Sequence, residues 1–180
     1  MSQYARMTWV GVDPGKSGAI AVIRSDDGNV SITTMPVVAS GKSRPQYDLH
    51  QIAMLLEPLV RPFVTVERAQ PLPPKMGGSI ANFERGVSRG WEWMLTALEI
   101  PFQMVPPRTW QAVMLVGTAD GDTKQRSAIA AQRLFPGVDL RRTERSRKVD
   151  DGFCDALLLA EYGRRTCTPA EGGTRGWRCE

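Results

Sequence analysis

Short apolar segments separated by turn-forming residues dominate the first third of the chain. Runs rich in Val and Ile, some with strict alternation of apolar and polar residues, are typical of strands. Asp27 and Gly28 lie in a turn between the second and third of these runs, which favours an antiparallel meander. The predicted strands are 9–12, 19–24, 30–35, 63–66 and 102–105.

Longer stretches carry apolar residues at helical spacing. In one of them Leu49, Ile52 and Leu56 form a single stripe that Pro58 ends. The segments between these stretches are rich in Pro and Gly, as in 71–78, and are predicted as loops, together with 36–45. The predicted helices are 46–57, 79–99, 106–115, 122–134 and 151–165.

The order of these elements indicates the fold class. A three-stranded meander followed by βαβ units gives a mixed sheet with helices on both faces. This order is that of the ribonuclease-H-like fold, so we predict an α/β protein with a five-stranded mixed sheet. The length of 180 residues suits one domain, predicted over 1–165, and the Gly- and Thr-rich segment 166–180 is predicted to be a disordered tail.

Composition narrows the functional classes. The formal net charge is +4, and a basic protein favours a polyanionic partner because each neutralised phosphate releases counterions. The basic stretch 141–148 fits such a partner, with a solvated charged loop as the alternative. No apolar run approaches the roughly 20 residues that span a bilayer, and the start lacks a signal-peptide core. We therefore expect no membrane partner and a location in the cytoplasm.

The cysteines predict neither disulfides nor a zinc site. Cys154, Cys167 and Cys179 are odd in number and have no CxxC spacing. They are expected to be free thiols in a reducing compartment.

Four acidic residues are candidates for chemistry because of their positions. Asp13 follows the first predicted strand and Glu67 the fourth, and ligands collect at the ends of neighbouring strands. Asp151 and Asp155 lie four residues apart, on one face of the last helix. Clustered carboxylates need a compensating cation, and Mg²⁺ prefers oxygen ligands. The four together predict a site for two Mg²⁺ ions, with Mn²⁺ possible, suited to phosphodiester hydrolysis.

Each acid alone also has an ordinary explanation. Asp13 could be a turn former, and Glu67 could belong to a surface ion pair. Asp150 or Asp151 could simply begin the last helix, and Asp150 competes with Asp151 as the third ligand. Asp155 interrupts an apolar helix face, where an unpaired carboxylate is costly. The joint pattern is therefore more specific than any of its members.

Two other chemistries are disfavoured. His50 is the single histidine and no nucleophile motif accompanies it, which argues against Ser-His-Asp or Cys-His catalysis. Lys16 and Ser17 follow a glycine as in a phosphate-binding loop, but Val10 stands where that motif needs its first glycine.

Three segments resemble those of RuvC-type Holliday junction resolvases, in order and at domain-scale spacing. They are the opening around Asp13, Val-Gly-Val-Asp-Pro-Gly; the segment with Glu67 followed by Gly-x-x-Arg-Gly at 86–90; and Asp155 in Asp-Ala-Leu-x-x-Ala. Lys124, at the start of a helix, is similar to a basic position of that family. The resemblance runs over about 9–165 and is nearest to a bacteriophage-type member.

Several expectations follow from this resemblance. It implies a homodimer that binds a four-way DNA junction and nicks two strands symmetrically. It implies metal ligands and catalytic residues at Asp13, Glu67, Asp151 and Asp155, with Lys124 also catalytic. Family members usually place the third acid three residues before the last aspartate, where this chain has Gly152. The third ligand therefore stays open between Asp150 and Asp151, and the divergent loop 68–82 leaves the cleavage preference open.

The expected DNA contacts are basic or aromatic. The candidates are Arg89, Lys124, Lys148, Arg108, Lys75 and Phe83. Surface solubility is an equal alternative for Lys75 and Arg108, and core packing is the alternative for Phe83. Trp91 and Trp93 are expected in the core or a dimer interface.

The favoured function is a junction-resolving endonuclease. The first alternative is another ribonuclease-H-like nuclease, which would cut flaps, other branched DNA or RNA–DNA hybrids. An actin-like ATPase is disfavoured because 180 residues are too few for the duplicated halves of that class. A metal-free DNA-binding module is the last alternative.

Overall fold

The computed structural model describes residues 7–39, 45–68, 78–169 and 177–179, with the side chains of 78–86 outside the description. The strands are β1 (Thr8–Asp13), β2 (Ala19–Arg24), β3 (Val30–Thr34), β4 (Val37–Val38), β5 (Gln46–Tyr47), β6 (Pro62–Glu67), β7 (Phe102–Val105), β8 (Cys167–Pro169) and β9 (Trp177–Cys179). The helices are α1 (Leu49–Leu56), α2 (Gly78–Ala97), α3 (Pro107–Met114), α4 (Thr123–Leu134) and α5 (Asp151–Thr166).

The main sheet has five strands in the order β3-β2-β1-β6-β7. β1, β2 and β3 pair antiparallel, whereas β6 pairs parallel with both β1 and β7. All five strands lie where the hydrophobic pattern predicts them, and the mixed α/β sheet is confirmed. No helix in the described ranges combines the length and apolar character that crossing a membrane requires.

Alternating side chains divide the core into two layers, one on each face of the sheet. Val10 and Val12 of β1 face α1 and α2, where they pack with Ile52 and Trp91. The opposite face of the sheet is covered by α3, α4 and α5, whose apolar residues pack against β2. By the same alternation, Asp13 shares the α5 face with Gly11.

Helix α5 lies directly on β1 because Gly11 has no side chain. A Cβ at Gly11 would overlap the carbonyl oxygen of Ala156 and the amide nitrogen of Ala160, and would lie 2.9 Å from the carbonyl carbon of Leu159. Further along the same helix, a Cβ at Gly163 would collide with the hydroxyl of Thr65 on β6. These close approaches fix both the depth and the direction of α5 across the sheet.

The first helix begins later than its apolar stripe predicts. Asp48 is the N-cap of α1, with its carboxylate accepting a bond of 3.0 Å from the amide of Gln51. The two residues before it form β5 and pair with β4, in a segment predicted as loop and helix start. A capping aspartate therefore overrides the helical pattern at 46–48.

The described part of the C-terminal segment corrects two expectations. α5 ends at Thr166, after which β8 and β9 pair antiparallel instead of being disordered. Cys167 and Cys179 form a disulfide, so only Cys154 is a free thiol among the described cysteines. Both differences have one physical cause, which is the burial of this segment against the sheet. Cys167 is 1% exposed, and the ring of Trp177 packs against Phe63 with centroids 4.7 Å apart.

We expect Gly11→Ala to destabilise the protein strongly, because the added methyl group would meet helix backbone that cannot move aside. A loss of at least about 3 kcal/mol in the free energy of unfolding is expected from urea titration. Gly137→Ala is the matched control, since a Cβ there meets nothing within 4 Å. Equal stability of the two variants would contradict the close approach of α5.

Candidate active site

Two of the predicted acids end neighbouring parallel strands. Asp13 is the last residue of β1 and Glu67 the last residue of β6, and the residues before them, Val12 and Val66, are register partners. Adjacent strands lie about 4.8 Å apart, so the two carboxylates project from neighbouring positions at the same edge of the sheet. Both lie on the face that α5 covers.

Asp155 reaches the same place from α5. It follows Cys154 and precedes a fully buried stretch, Ala156 to Ala160, that packs on β1. Asp155 interacts electrostatically with Asp13, and Glu67 interacts with both. The structure therefore brings together three of the four predicted ligands.

Burial and mutual repulsion disfavour the charged forms of these three acids. Burial raises the pKa of Glu67 to about 7, with Asp13 and Asp155 adding to the rise. Burial also raises the pKa of Asp155 to about 6, with Asp13 and Asp151 contributing. The pKa of Asp13 is raised mainly by burial, against a bond of 3.0 Å from the amide of Gly15. Arg142 lowers the pKa of Asp13 and Lys124 lowers the pKa of Asp155, but these charges offset only part of the rise.

One oxygen of Asp155 is buried without a hydrogen-bond partner. The nearby hydroxyl of Ser127 lowers the pKa of Asp155, but its oxygen also has no partner at hydrogen-bond geometry. Burial outweighs the effect of this hydroxyl and leaves the pKa of Asp155 raised. An unsatisfied buried carboxylate oxygen is uncommon in native proteins, and a cation is one kind of partner that such an oxygen can accept.

Glu67 receives one hydrogen bond from an unexpected residue. The indole Nε1 of Trp110 on α3 donates to Oε2 of Glu67 at 2.8 Å, and this bond opposes the rise in the pKa of Glu67. Trp110 is fully buried. Its position in the sequence, among prolines and polar residues, gave no sign of this contact.

Asp150, the rival third ligand, has structural roles. It caps α5 by accepting a bond of 3.1 Å from the amide of Phe153. Nε and Nη2 of Arg142 donate to its carboxylate at 2.7 and 3.0 Å, and Nη2 also donates to the carbonyl oxygen of Ser17. Arg142 therefore links the basic stretch 141–148 to the turn that follows Asp13.

Asp151 lies on the rim of the cluster. Its carboxylate is about half exposed and pairs with the ammonium of Lys124 at 2.8 Å. An acid at the next position, Gly152, would be crowded: a Cβ there would lie 3.2 Å from Oδ2 of Asp13 and 3.1 Å from the carbonyl oxygen of Ser17, so these neighbours would have to shift. The roles of Asp151 and Lys124 in catalysis stay predictions.

The side chains do not form a closed metal cage. Within the described ranges, no group of three or more His, Cys, Asp or Glu residues is placed to hold an ion by itself. The donor chemistry nevertheless suits a hard cation. Mg²⁺ is commonly held by one or two carboxylates, waters and substrate phosphates, so a complete protein cage is not required.

The predicted DNA contacts are more scattered. Arg89 on α2, Arg108 on α3 and Lys148 before α5 are exposed, as is Lys124 at the start of α4. Lys75 and the side chain of Phe83 lie outside the described residues. Of the two tryptophans on α2, Trp91 is 4% exposed and Trp93 is 70% exposed.

Solved structures share this fold. One is "T. thermophilus RuvC in complex with Holliday junction substrate", with a TM-score of 0.53 and 15% identity over 88% of this chain and 95% of that chain. Another is "Thermus thermophilus RuvC structure", with a TM-score of 0.51 and 17% identity over 88% of this chain and 96% of that one. No protein-family model and no curated protein matches the sequence. The likeness is one of fold, and it confirms the ribonuclease-H-like class.

The raised pKa of Glu67 gives a pH-dependent stability. Between pH 4.5 and about 7 the folded chain binds more protons at Glu67 than the unfolded chain, so ionisation there destabilises the fold as pH rises. With EDTA present, we expect the free energy of unfolding of Glu67→Gln, relative to that of wild type, to rise by on the order of 2 kcal/mol from pH 4.5 to pH 8. Urea unfolding at both pH values measures this gain.

The exposed Glu57 offers the matched control. Glu57→Gln should leave the difference from wild type unchanged between the two pH values. A Glu67→Gln difference that is also constant with pH would contradict the burial of an ionisable Glu67.

Proposed function

We propose that this protein is a metal-dependent endonuclease that resolves four-way DNA junctions by paired nicks. The observation that carries the proposal is the convergence of Asp13, Glu67 and Asp155 at one edge of a RuvC-like sheet. The likeness to a RuvC structure with a Holliday junction substrate supports the choice of substrate. We further propose a bacteriophage-type enzyme that acts in the cytoplasm of a bacterial or phage-infected cell.

The acids would hold two Mg²⁺ ions, or Mn²⁺, with Asp151 as the fourth ligand. The oxygen donor set, the mutual repulsion of the carboxylates and the unpartnered oxygen of Asp155 all fit a divalent cation. When bound, such ions supply an activated water and neutralise charge on the departing oxygen. The chain itself contributes the burial that restricts bulk water around Asp13 and Asp155.

Lys124 would act at the rim. Its ion pair with Asp151 is exposed, so a DNA phosphate can replace the carboxylate as the partner of the ammonium group. Asp151 would then be released toward the cation, while Lys124 stabilises charge on the phosphate that is cut. Further phosphate or junction contacts are proposed for Arg89, Arg108, Lys148, Lys75 and Phe83.

A homodimer would match the twofold symmetry of the junction. We propose that its interface lies on the α1 and α2 side, where Leu49 on α1 is 62% and Trp93 on α2 is 70% exposed. A groove of about 280 Å³ between these helices is lined by apolar side chains that include Trp91 and Met94. Exposed aromatic residues of this kind are typical of interfaces.

We expect wild-type protein to nick synthetic four-way junctions at two symmetric positions with Mg²⁺, and to lose this activity in EDTA. Asp13→Asn should lower the cleavage rate at least about 1,000-fold, as loss of charge at a central metal ligand implies. Junction binding by the variant should persist, because phosphate contacts supply most of the affinity.

Asp120→Asn, an exposed aspartate, is the control and should cut at the wild-type rate. A substrate panel of junction, flap, linear duplex and RNA–DNA hybrid separates the alternatives. Faster cleavage of the hybrid than of the junction would overturn junction resolution, and an Asp13→Asn variant at full activity would overturn the site.

The dimer can be tested separately. We expect sedimentation velocity to show a dimer for wild type and a monomer for Trp93→Glu, because a charge would be buried at the interface. Val116→Glu is the matched control, since Val116 is 67% exposed and follows α3, on the other face of the sheet. A monomeric wild type at tens of micromolar protein would refute the interface.

A further inference from the structure

Trp110 is buried in the core, and its single polar side-chain atom donates a hydrogen bond to the candidate active site. The side chain is 0% exposed, and its Nε1 donates to Oε2 of Glu67 at 2.8 Å. Trp9 offers a contrast, because its Nε1 is buried without a partner.

The ring of Trp110 is fully buried in the core on the α5 side of the sheet. It lies one turn into α3, which begins after Pro106, whose backbone is extended with φ −61° and ψ 146°. Trp110 packs in the layer beneath α5 together with Met114 and Leu115, which are 1% and 2% exposed. A donor fixed in this way can hold a flexible acceptor in place.

Glu67 needs such a partner more than the aspartates do. A glutamate side chain has one more rotatable bond than an aspartate, and ordering it costs more conformational entropy. The bond from Trp110 is its single side-chain hydrogen bond within the described ranges. It occupies Oε2 and leaves Oε1 as the oxygen that can meet another ligand.

We propose that Trp110 is a positioning residue, which fixes the Glu67 carboxylate so that its second oxygen is presented to a divalent cation. The inference rests on the proposed function for the identity of the ligand. It assigns a role to a residue outside the carboxylate set, as hydrogen bonds behind metal ligands commonly set both orientation and affinity.

The test compares Trp110→Phe with Trp9→Phe in the full chain. Both changes remove a buried indole N–H, but Nε1 of Trp9 has no hydrogen-bond partner among the described residues, whereas Nε1 of Trp110 donates to Glu67. With Mn²⁺ alone as the probe in isothermal titration, Trp110→Phe should weaken binding about 10-fold or more. Trp9→Phe should stay within about twofold of wild type, even where the two variants lose similar stability.

A second measurement does not depend on whether Trp110→Phe folds. The sequence has five tryptophans, and ¹⁵N-indole labelling of wild type gives one N–H resonance for each. The Trp110 resonance, assigned by elimination with substitutions of the other four, should move when Mg²⁺ is added. It should stay in place in Asp155→Asn.

Each outcome separates this inference from the proposed function. Wild-type Mn²⁺ affinity in Trp110→Phe, or an unmoved Trp110 resonance, overturns the positioning role and leaves junction cleavage standing. If wild type binds Mn²⁺ but cuts no junction, the proposed function falls and the affinity ratio still decides the role of Trp110. A wild type that binds neither Mn²⁺ nor Mg²⁺ overturns both.

Discussion

The direct contact between the backbone of α5 and the backbone of β1 determines the rest of the structure. Only a glycine at position 11 lets the carbonyl of Ala156 and the amide of Ala160 come so close to the strand. Because Asp155 precedes Ala156, the same contact sets how far Asp155 lies from Asp13. Packing and chemistry therefore share one geometric constraint, and a change in helix depth would displace the carboxylate as well.

The charges around the strand ends fall into an inner and an outer set. Asp150 and Asp151, at the start of α5, are neutralised by Arg142 and Lys124 at 2.7 and 2.8 Å. The inner acids, on the strand ends and deeper in α5, have raised pKa values and, among the described residues, no Lys or Arg in ion-pair contact. Clustered groups with raised pKa values are typical of functional sites, which supports the divalent cation proposed for this site.

Local pattern was sufficient to predict the sheet and the helices that cover it. Asp13 and Glu67 could be placed together because parallel neighbouring strands end at one edge, and Asp155 because it breaks an apolar helix face. Trp110 could not be found in this way, since its bond to Glu67 joins residues 43 positions apart. The Cys167–Cys179 disulfide was not predicted for a related reason. Composition suggested a disordered tail, whereas the order of this segment depends on contact between Trp177 and Phe63, which are far apart in the sequence.

Gly152 bears on which acid of α5 can join the proposed site. A Cβ at this position would lie 3.0 Å from Cα of Gly18, 3.1 Å from the carbonyl oxygen of Ser17 and 3.2 Å from Oδ2 of Asp13, so a side chain there would require these neighbours to shift. An acid one residue earlier, at Asp151, remains on the same side of the helix but is more exposed and is held by Lys124. Under the proposed function, the fold would position the inner acids before any ligand arrives, whereas the contribution of Asp151 would depend on what competes for Lys124. Asp151, rather than the inner acids, would then be the ligand that responds to the substrate.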